Sequence, residues 1–123
     1  MVPANLTDDE ILESSKFRTK NRLPALAYFY SNKASLWRSS QNKSGIMKNR
    51  SEEDELMVRS IGLTNPHTNE IVVYDARSKI NAMANWLKSG GYENMEAYTN
   101  VKSVEFGNID NIHAVWLAYK KTL

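Results

Sequence analysis

Apolar and polar positions fall into two rhythms along this chain, and the clearest passage joins them. Ile71-Val72-Val73-Tyr74 is a short β-branched and aromatic run without polar alternation, which predicts a strand covered on both faces. Asp75-Ala76-Arg77-Ser78 turns the chain, with Ser78 suited to cap a helix. Ile80, Met83, Ala84 and Leu87 then recur at i, i+3, i+4 and i+7, one apolar stripe down that helix. Gly90-Gly91 supplies a left-handed stop. In open α/β sheets ligands bind beyond the carboxyl ends of the strands, so the turn from Asp75 to Ser78 is the first place to look for chemistry.

The same rules divide the remainder. Thr7-Asp8-Asp9-Glu10 is a capping box, with Leu6 and Ile11 placed as a hydrophobic staple, and predicts a helix over 8–15. Lys16, Arg18, Lys20 and Arg22 alternate with other residues, so an extended segment would gather all four cations on one face. Such a face suits phosphates or an acidic neighbour; a solvated basic segment is the other reading. After Pro24, ALAYFY reads as a strand, Ser31-Asn32-Lys33 as a tight connection and 34–39 as the returning strand of a hairpin. Residues 38–50 read as a loop.

Ser51 and Asp54 form a second capping pair, and the acidic run 52–55 is read as favourable charge at a helix N-terminus. Met57 and Ile61, flanked by Leu56 and Val58, give this helix its apolar side. Residues 65–69 form a turn that includes His67. Val101 to Phe106 is a further strand. Asp110 caps a last helix striped by Ile112, Val115, Trp116 and Tyr119. Strand, turn, helix, strand, turn, helix predicts an α/β protein with parallel strands and right-handed crossovers.

Composition narrows the function classes. At 123 residues the chain makes at most one domain, and its 41% apolar and 24% charged residues are ordinary for a folded soluble protein. The longest uncharged apolar run, from Leu23 to Tyr30, is far short of the roughly 20 residues that span a bilayer. Acidic residues interrupt the first dozen positions, so no signal-peptide pattern opens the chain. The sequence holds no cysteine, which excludes disulfides and thiolate nucleophiles and fits a cytoplasmic setting. The net charge of +2 conceals an imbalance: residues 1–50 carry +5 and residues 51–123 carry −3. A basic first half suits an anionic partner or surface, with solvated loops as the commoner explanation.

Two strand-to-helix turns should open on one sheet edge. One carries Asp75, Arg77 and Ser78, the other Asn108, Asp110 and Asn111. Free N–H groups at two helix N-termini suit that edge to an anion such as phosphate. Asn81 and Asn85 stand one above the other beside the apolar stripe, either to bind a polyhydroxylated ligand or to hold neighbouring loops. Asp75 and Arg77 are either an acid with an anion clamp or a local ion pair that fixes the turn. His113 has a structural role in the last helix. With two histidines and no cysteine, neither a metal site nor a cofactor is expected. No nucleophile elbow or phosphate-cradling glycine loop occurs, no nucleic-acid partner is expected, and no catalytic residue is assigned.

In order and spacing these residues resemble the myotubularin family of phosphoinositide 3-phosphatases, along nearly the whole chain. Val2-Pro3 precedes the acidic capping box. Phe17-Arg18-Thr19-Lys20-Asn21-Arg22-Leu23-Pro24 resembles the family's Phe-Arg-Ser-(Lys/Arg)-Gly-Arg-x-Pro. Arg38-Ser39-Ser40-Gln41 resembles Arg-Cys-Ser-Gln, and Tyr74-Asp75-Ala76-Arg77 resembles (Phe/Tyr)-Asp-Ala-Arg. Asn81-Ala82-Met83-Ala84-Asn85 is similar to Asn-Ala-x-Ala-Asn, Gly90-Gly91-Tyr92-Glu93 to the glycine stop after it, and Asn111-Ile112-His113 to Asn-Ile-His. Four positions depart from the pattern: Trp86 replaces a Lys/Arg, Asn42 a proline, and Val115-Trp116 a Met-Arg.

The resemblance implies a partial protein-tyrosine-phosphatase-like sheet with flanking helices and one β-hairpin, residues 1–123 forming a single partial phosphatase domain. The family removes the 3-phosphate of phosphatidylinositol 3-phosphate and phosphatidylinositol 3,5-bisphosphate with a cysteine loop that lies beyond the matched region. Substrate-pocket positions carry over to Asn85, Asn111 and Ile112. Arg18, Lys20, Arg22, Asp75 and Arg77 are the residues that contact anions or support the site. The resemblance implies a phosphoinositide headgroup as partner, a cytoplasmic protein peripheral at phosphoinositide-containing membranes, and no activity in these 123 residues alone. Two alternatives stay open: a non-catalytic module that pairs with a full-length active myotubularin, and a small binder of phosphoinositide or anionic membranes through the Lys16–Arg22 face. A piece of a larger sheet is also expected to expose an apolar helix face or an unpaired strand edge.

Overall fold

Helix α1, Asp8–Lys16, starts where the capping box places it: the Thr7 hydroxyl accepts from the Glu10 N–H at 3.3 Å, and the Glu10 carboxylate accepts from the Thr7 N–H at 2.8 Å. The computed structural model describes residues 1–45, 47–77, 79–87 and 95–106. Beyond α1 the chain does not extend. It makes a single 3-10 turn, Thr19–Asn21, in which Lys20 and Asn21 have φ of 54° and 53°. Left-handed backbone favours glycine, with asparagine the residue most tolerant after it. Asn21 stands where the resembling pattern has glycine, so the backbone explains the exchange.

Strands β1, Ala25–Phe29, and β2, Ser35–Arg38, pair antiparallel in the predicted hairpin, with a bulge between Leu26 and Tyr28. Helix α2, Glu52–Gly62, is capped by Ser51, whose hydroxyl accepts from the Asp54 N–H at 3.2 Å. It packs against α1 and buries Met57, Val58 and Ile61. Its last residue, Gly62, has to be glycine: a Cβ there would lie 2.2 Å from the Asn69 carbonyl oxygen and 2.7 Å from the Asn100 amide. That amide donates to the Val58 and Asn69 carbonyls at 3.2 Å each, tying the end of α2 to the loop before the next strand.

Strands β3, Ile71–Asp75, and β4, Val101–Phe106, run parallel, and helix α3, Lys79–Leu87, lies between them in sequence. The described residues thus form a mixed α/β arrangement with two separate two-stranded sheets. The apolar core lies between α2 and the β3–β4 pair: Val58, Tyr98 and Val101, with Ile71, Val73, Ala97 and Val104 against them.

Two expectations are corrected. β3 is covered on one face only: Ile71 and Val73 turn inward, whereas Val72 and Tyr74 are exposed, Tyr74 at 77%. The core lies on one side of a two-stranded sheet, so alternate residues of even an all-apolar run remain outside. The predicted stripe of α3 does not pack inward either; Ile80, Met83 and Leu87 are exposed, Ile80 at 80%. Exposed apolar surface on α3 is what a piece of a larger sheet was expected to show. The Ser78 cap, the Gly90-Gly91 stop and the last helix lie outside the described residues.

Candidate functional site

Parallel pairing places Asp75 beside Phe106 in register, so the carboxyl ends of β3 and β4 share one edge, as predicted. The turn after β3 is locked by its own charges. The Arg77 N–H and Nε donate to Asp75 Oδ1 at 3.0 and 2.8 Å, and Nη2 also donates to Asp75 Oδ2. Of the two readings of these residues, the structure contains the ion pair that fixes the turn. Burial alone would raise the Asp75 carboxyl; the guanidinium and N–H of Arg77 outweigh it and hold the group below its ordinary value.

A third residue grips this turn from a distant part of the chain. Arg77 Nη1 donates to Gln41 Oε1 at 2.5 Å, while the Gln41 carbonyl accepts from the Thr19 N–H at 2.9 Å. Gln41 therefore couples the 3-10 turn to the edge where ligands are expected. Asn85 lies in α3, on the helix that leaves this edge. Asn111 and Ile112 lie outside the described residues, as do Asn108, Asp110 and His113, so the second turn is not placed against the first.

Arg18, Lys20 and Arg22 do not share a face. The turn that replaces an extended segment sends Arg18 inward, where it and Asp54 are both fully buried. Arg18 Nε and Nη2 donate to Asp54 Oδ1 and Oδ2 at 2.8 and 2.7 Å, and Nη1 donates to the Ser40 carbonyl at 2.9 Å. Ser14 donates to the same carboxylate at 2.9 Å and the Tyr98 hydroxyl at 2.6 Å; the Asn42 amide donates to Tyr98 at 3.3 Å. Among the described residues no buried side-chain nitrogen or oxygen lacks a partner. Arg18 supports the structure, whereas Lys20 and Arg22 are exposed. Lys16, the fourth cation of that run, is exposed and pairs with Glu13.

Asp54 stands in the acidic first turn of α2, as the sequence predicts, but it is also fully buried and paired with Arg18, which charge at a helix end does not reveal. A signal was present. Asp54, Met57, Val58 and Ile61 fall at i, i+3, i+4 and i+7, so the aspartate heads the buried stripe of α2 and needs a cation within the fold. Successive residues of one loop then divide the work: Gln41 holds Arg77, and Asn42 reaches Tyr98 in the buried network.

The sequence profile of the Myotubularin-like phosphatase domain matches residues 1–123. The chain belongs to the myotubularin family. It is 44% identical over 123 residues to the human phosphatidylinositol-3-phosphate phosphatase MTMR7, covering 99% of this chain and 18% of that protein. It is 38% identical over 122 residues to the Pongo abelii phosphatidylinositol-3,5-bisphosphate 3-phosphatase MTMR2, covering 98% of this chain and 19% of the relative. Human MTMR8, a phosphatidylinositol-3,5-bisphosphate 3-phosphatase, is 41% identical over 124 residues, covering 17% of that protein. The myotubularin chain described here thus spans about a fifth of the length of the curated relatives it matches. Among its described residues no helix is long and apolar enough to cross a membrane, and no group of acidic or histidine side chains could hold a metal ion.

Proposed function

We propose that residues 1–123 supply scaffold and one pocket wall of a phosphoinositide 3-phosphatase domain with a protein-tyrosine-phosphatase-like sheet, acting peripherally at phosphoinositide-containing membranes of the cytoplasm. The observation that carries this reading is the Asp75–Arg77 turn at the carboxyl end of β3, clamped by Gln41 at the edge where α/β proteins bind ligands. In this reading Asn85, Asn111 and Ile112 are the substrate-binding positions that the family pattern carries over. Asp75 and Arg77 hold the turn from which α3 departs, and Lys20 and Arg22 add positive charge to the surface.

The wall does not attack phosphorus. A cysteine phosphatase needs a thiolate nucleophile and an arginine to hold the transferring phosphoryl group, and these 123 residues hold no cysteine. The chain alone is expected to release no phosphate from phosphatidylinositol 3-phosphate in a malachite-green assay; release that scales with chain concentration overturns the inactive assignment.

The open face of α3 favours a second reading, a non-catalytic module that pairs with an active myotubularin. Ile80, Met83 and Leu87 leave an apolar stripe of α3 exposed, and Val72 and Tyr74 of the sheet are exposed as well. Co-purification with a full-length myotubularin phosphatase that Ile80→Asp and Met83→Asp abolish supports it. A monodisperse chain that such a phosphatase does not retain counts against it.

A further inference from the structure

The two faces of the β1–β2 hairpin are unequally covered: Leu26, Ser35 and Trp37 on one side are half-buried, with Phe29 exposed at its tip, while the other side is exposed along its length. Side chains alternate along β2, so Trp37 and Ser35 share one side while Arg38 and Leu36 share the other. The Trp37 side is occupied: its Nε1 donates to the Ser35 hydroxyl at 2.8 Å, and that hydroxyl lies 3.4 Å from the Thr64 hydroxyl just beyond α2. The bulge between Leu26 and Tyr28 sets Tyr28 opposite Leu36, on the other side. Tyr30 follows two residues later, its ring edge-on to Tyr28 with centroids 4.6 Å apart. Tyr28, Tyr30, Leu36 and Arg38 are all exposed, Tyr28 at 57%. At the tip Lys33 stands 6.0 Å above the Phe29 ring.

At the base of the same hairpin lies an open groove of about 420 Å³, with Arg22, Arg38, Ser39 and Ser40 among its lining and Leu23 and Leu26 as its apolar part. Among the described residues neither Arg22 nor Arg38 is ion-paired, in contrast to Arg18, Arg50 and Arg77. The surroundings reinforce the charge: from Ser14 to Ser51 the sequence holds nine lysines and arginines and no aspartate or glutamate. Tyrosines beside leucine, edged by cations that no carboxylate of the described residues pairs, match the headgroup layer of an anionic bilayer. Aromatic rings sit at the polar boundary there, and guanidinium groups meet phosphates.

We propose that the open face of this hairpin docks on an anionic membrane, with Tyr28, Tyr30 and Leu36 at the interface and a lipid phosphate between Arg22 and Arg38. The chemistry recognised is a phosphate ester, and the apolar face beside it assigns the source as a bilayer rather than a free anion. The inference goes beyond the headgroup-wall reading and does not rest on it, because any anionic lipid serves.

The test is co-sedimentation of the full chain with phosphatidylcholine vesicles with or without phosphatidylserine, and with no phosphoinositide. Binding is expected only when phosphatidylserine is present, and weakens as sodium chloride rises. The double variant R22A/R38A should bind about thirtyfold more weakly, two surface cations each contributing about fivefold. Tyr28→Ser with Tyr30→Ser should weaken binding at a salt concentration where the charges are screened. Near-UV circular dichroism verifies each fold; if the double variant is unfolded, R38A alone should show the fivefold loss.

Binding of R22A/R38A within twofold of the parent overturns the proposal. So does displacement by millimolar inorganic phosphate with no contribution from the tyrosines, which assigns a free-anion site. Self-association of the parent, abolished by the tyrosine variants and without vesicle binding, assigns the face to a second copy and equally overturns it. Failure of the headgroup-wall reading shows instead as no preference for phosphoinositide over phosphatidylserine, an outcome that leaves these results unmoved.

Discussion

Among the described residues the same arginine–aspartate pair occurs twice, in two different surroundings. Arg18 and Asp54 are 36 positions apart and wholly buried, and they bring Ser14, Asn42 and Tyr98 into one network. Asp75 and Arg77 are two positions apart, with side chains 9% and 23% exposed, and fix one turn. The buried pair joins α1, α2 and the segment before β4; the half-buried one shapes an edge and lends its remaining donor to Gln41. Identical charges act as architecture when water is excluded and as local geometry when it is not. Lys16 and Glu13 extend the series to a pair exposed on both sides, 57% and 48%.

Breaking the buried pair should have the largest effect. Asp54→Ala leaves the Arg18 guanidinium without compensation in the interior, and urea denaturation should show a loss of about 3–5 kcal/mol. Replacing both partners by apolar residues, Arg18→Met with Asp54→Leu, should cost less than the single change, since no charge is then stranded. A single variant within about 1 kcal/mol of the parent would remove the distinction between the two arginines.

The half-buried pair should contribute less and reveal itself through pH. Asp75→Asn is expected to cost about 1 kcal/mol near neutrality. The Asp75 carboxyl is held below its ordinary value in the fold, so the folded state favours the ionised form. Its contribution is therefore complete above about pH 4, the ordinary carboxylate range, and is lost as pH falls through the lower folded value. The stability gap between parent and Asp75→Asn should close on acidification over that window; a gap constant with pH would assign the effect to packing. Lys16→Ala should have the smallest effect, within about 0.5 kcal/mol and absent at high salt.

Much of the architecture was legible because it depends on neighbours along the chain. The Thr7 and Ser51 caps, the two helices after them and the hairpin around Asn32 all follow from contacts within a short stretch of chain. The shared face of the basic run holds only for an extended segment; the turn removes it and leaves Lys16, Lys20 and Arg22 solvated, a turn to which Asn21, standing where the family pattern has glycine, already points. Gln41 ends a stretch that resembles the family pattern, but its partner was not legible. Its partner Arg77 is 36 positions away, and nothing local to either residue requires the other.

By itself, then, the sequence determined the family, the local elements, the parallel order of β3 and β4 and the absence of a thiol nucleophile. Those follow from short-range geometry, ordered similarity and atomic inventory. Only the tertiary structure decided which charges are buried, which face of β3 is covered and which side of the hairpin stays open. Burial is a property of what folds over a residue, and the partners that decide it come from distant stretches of chain.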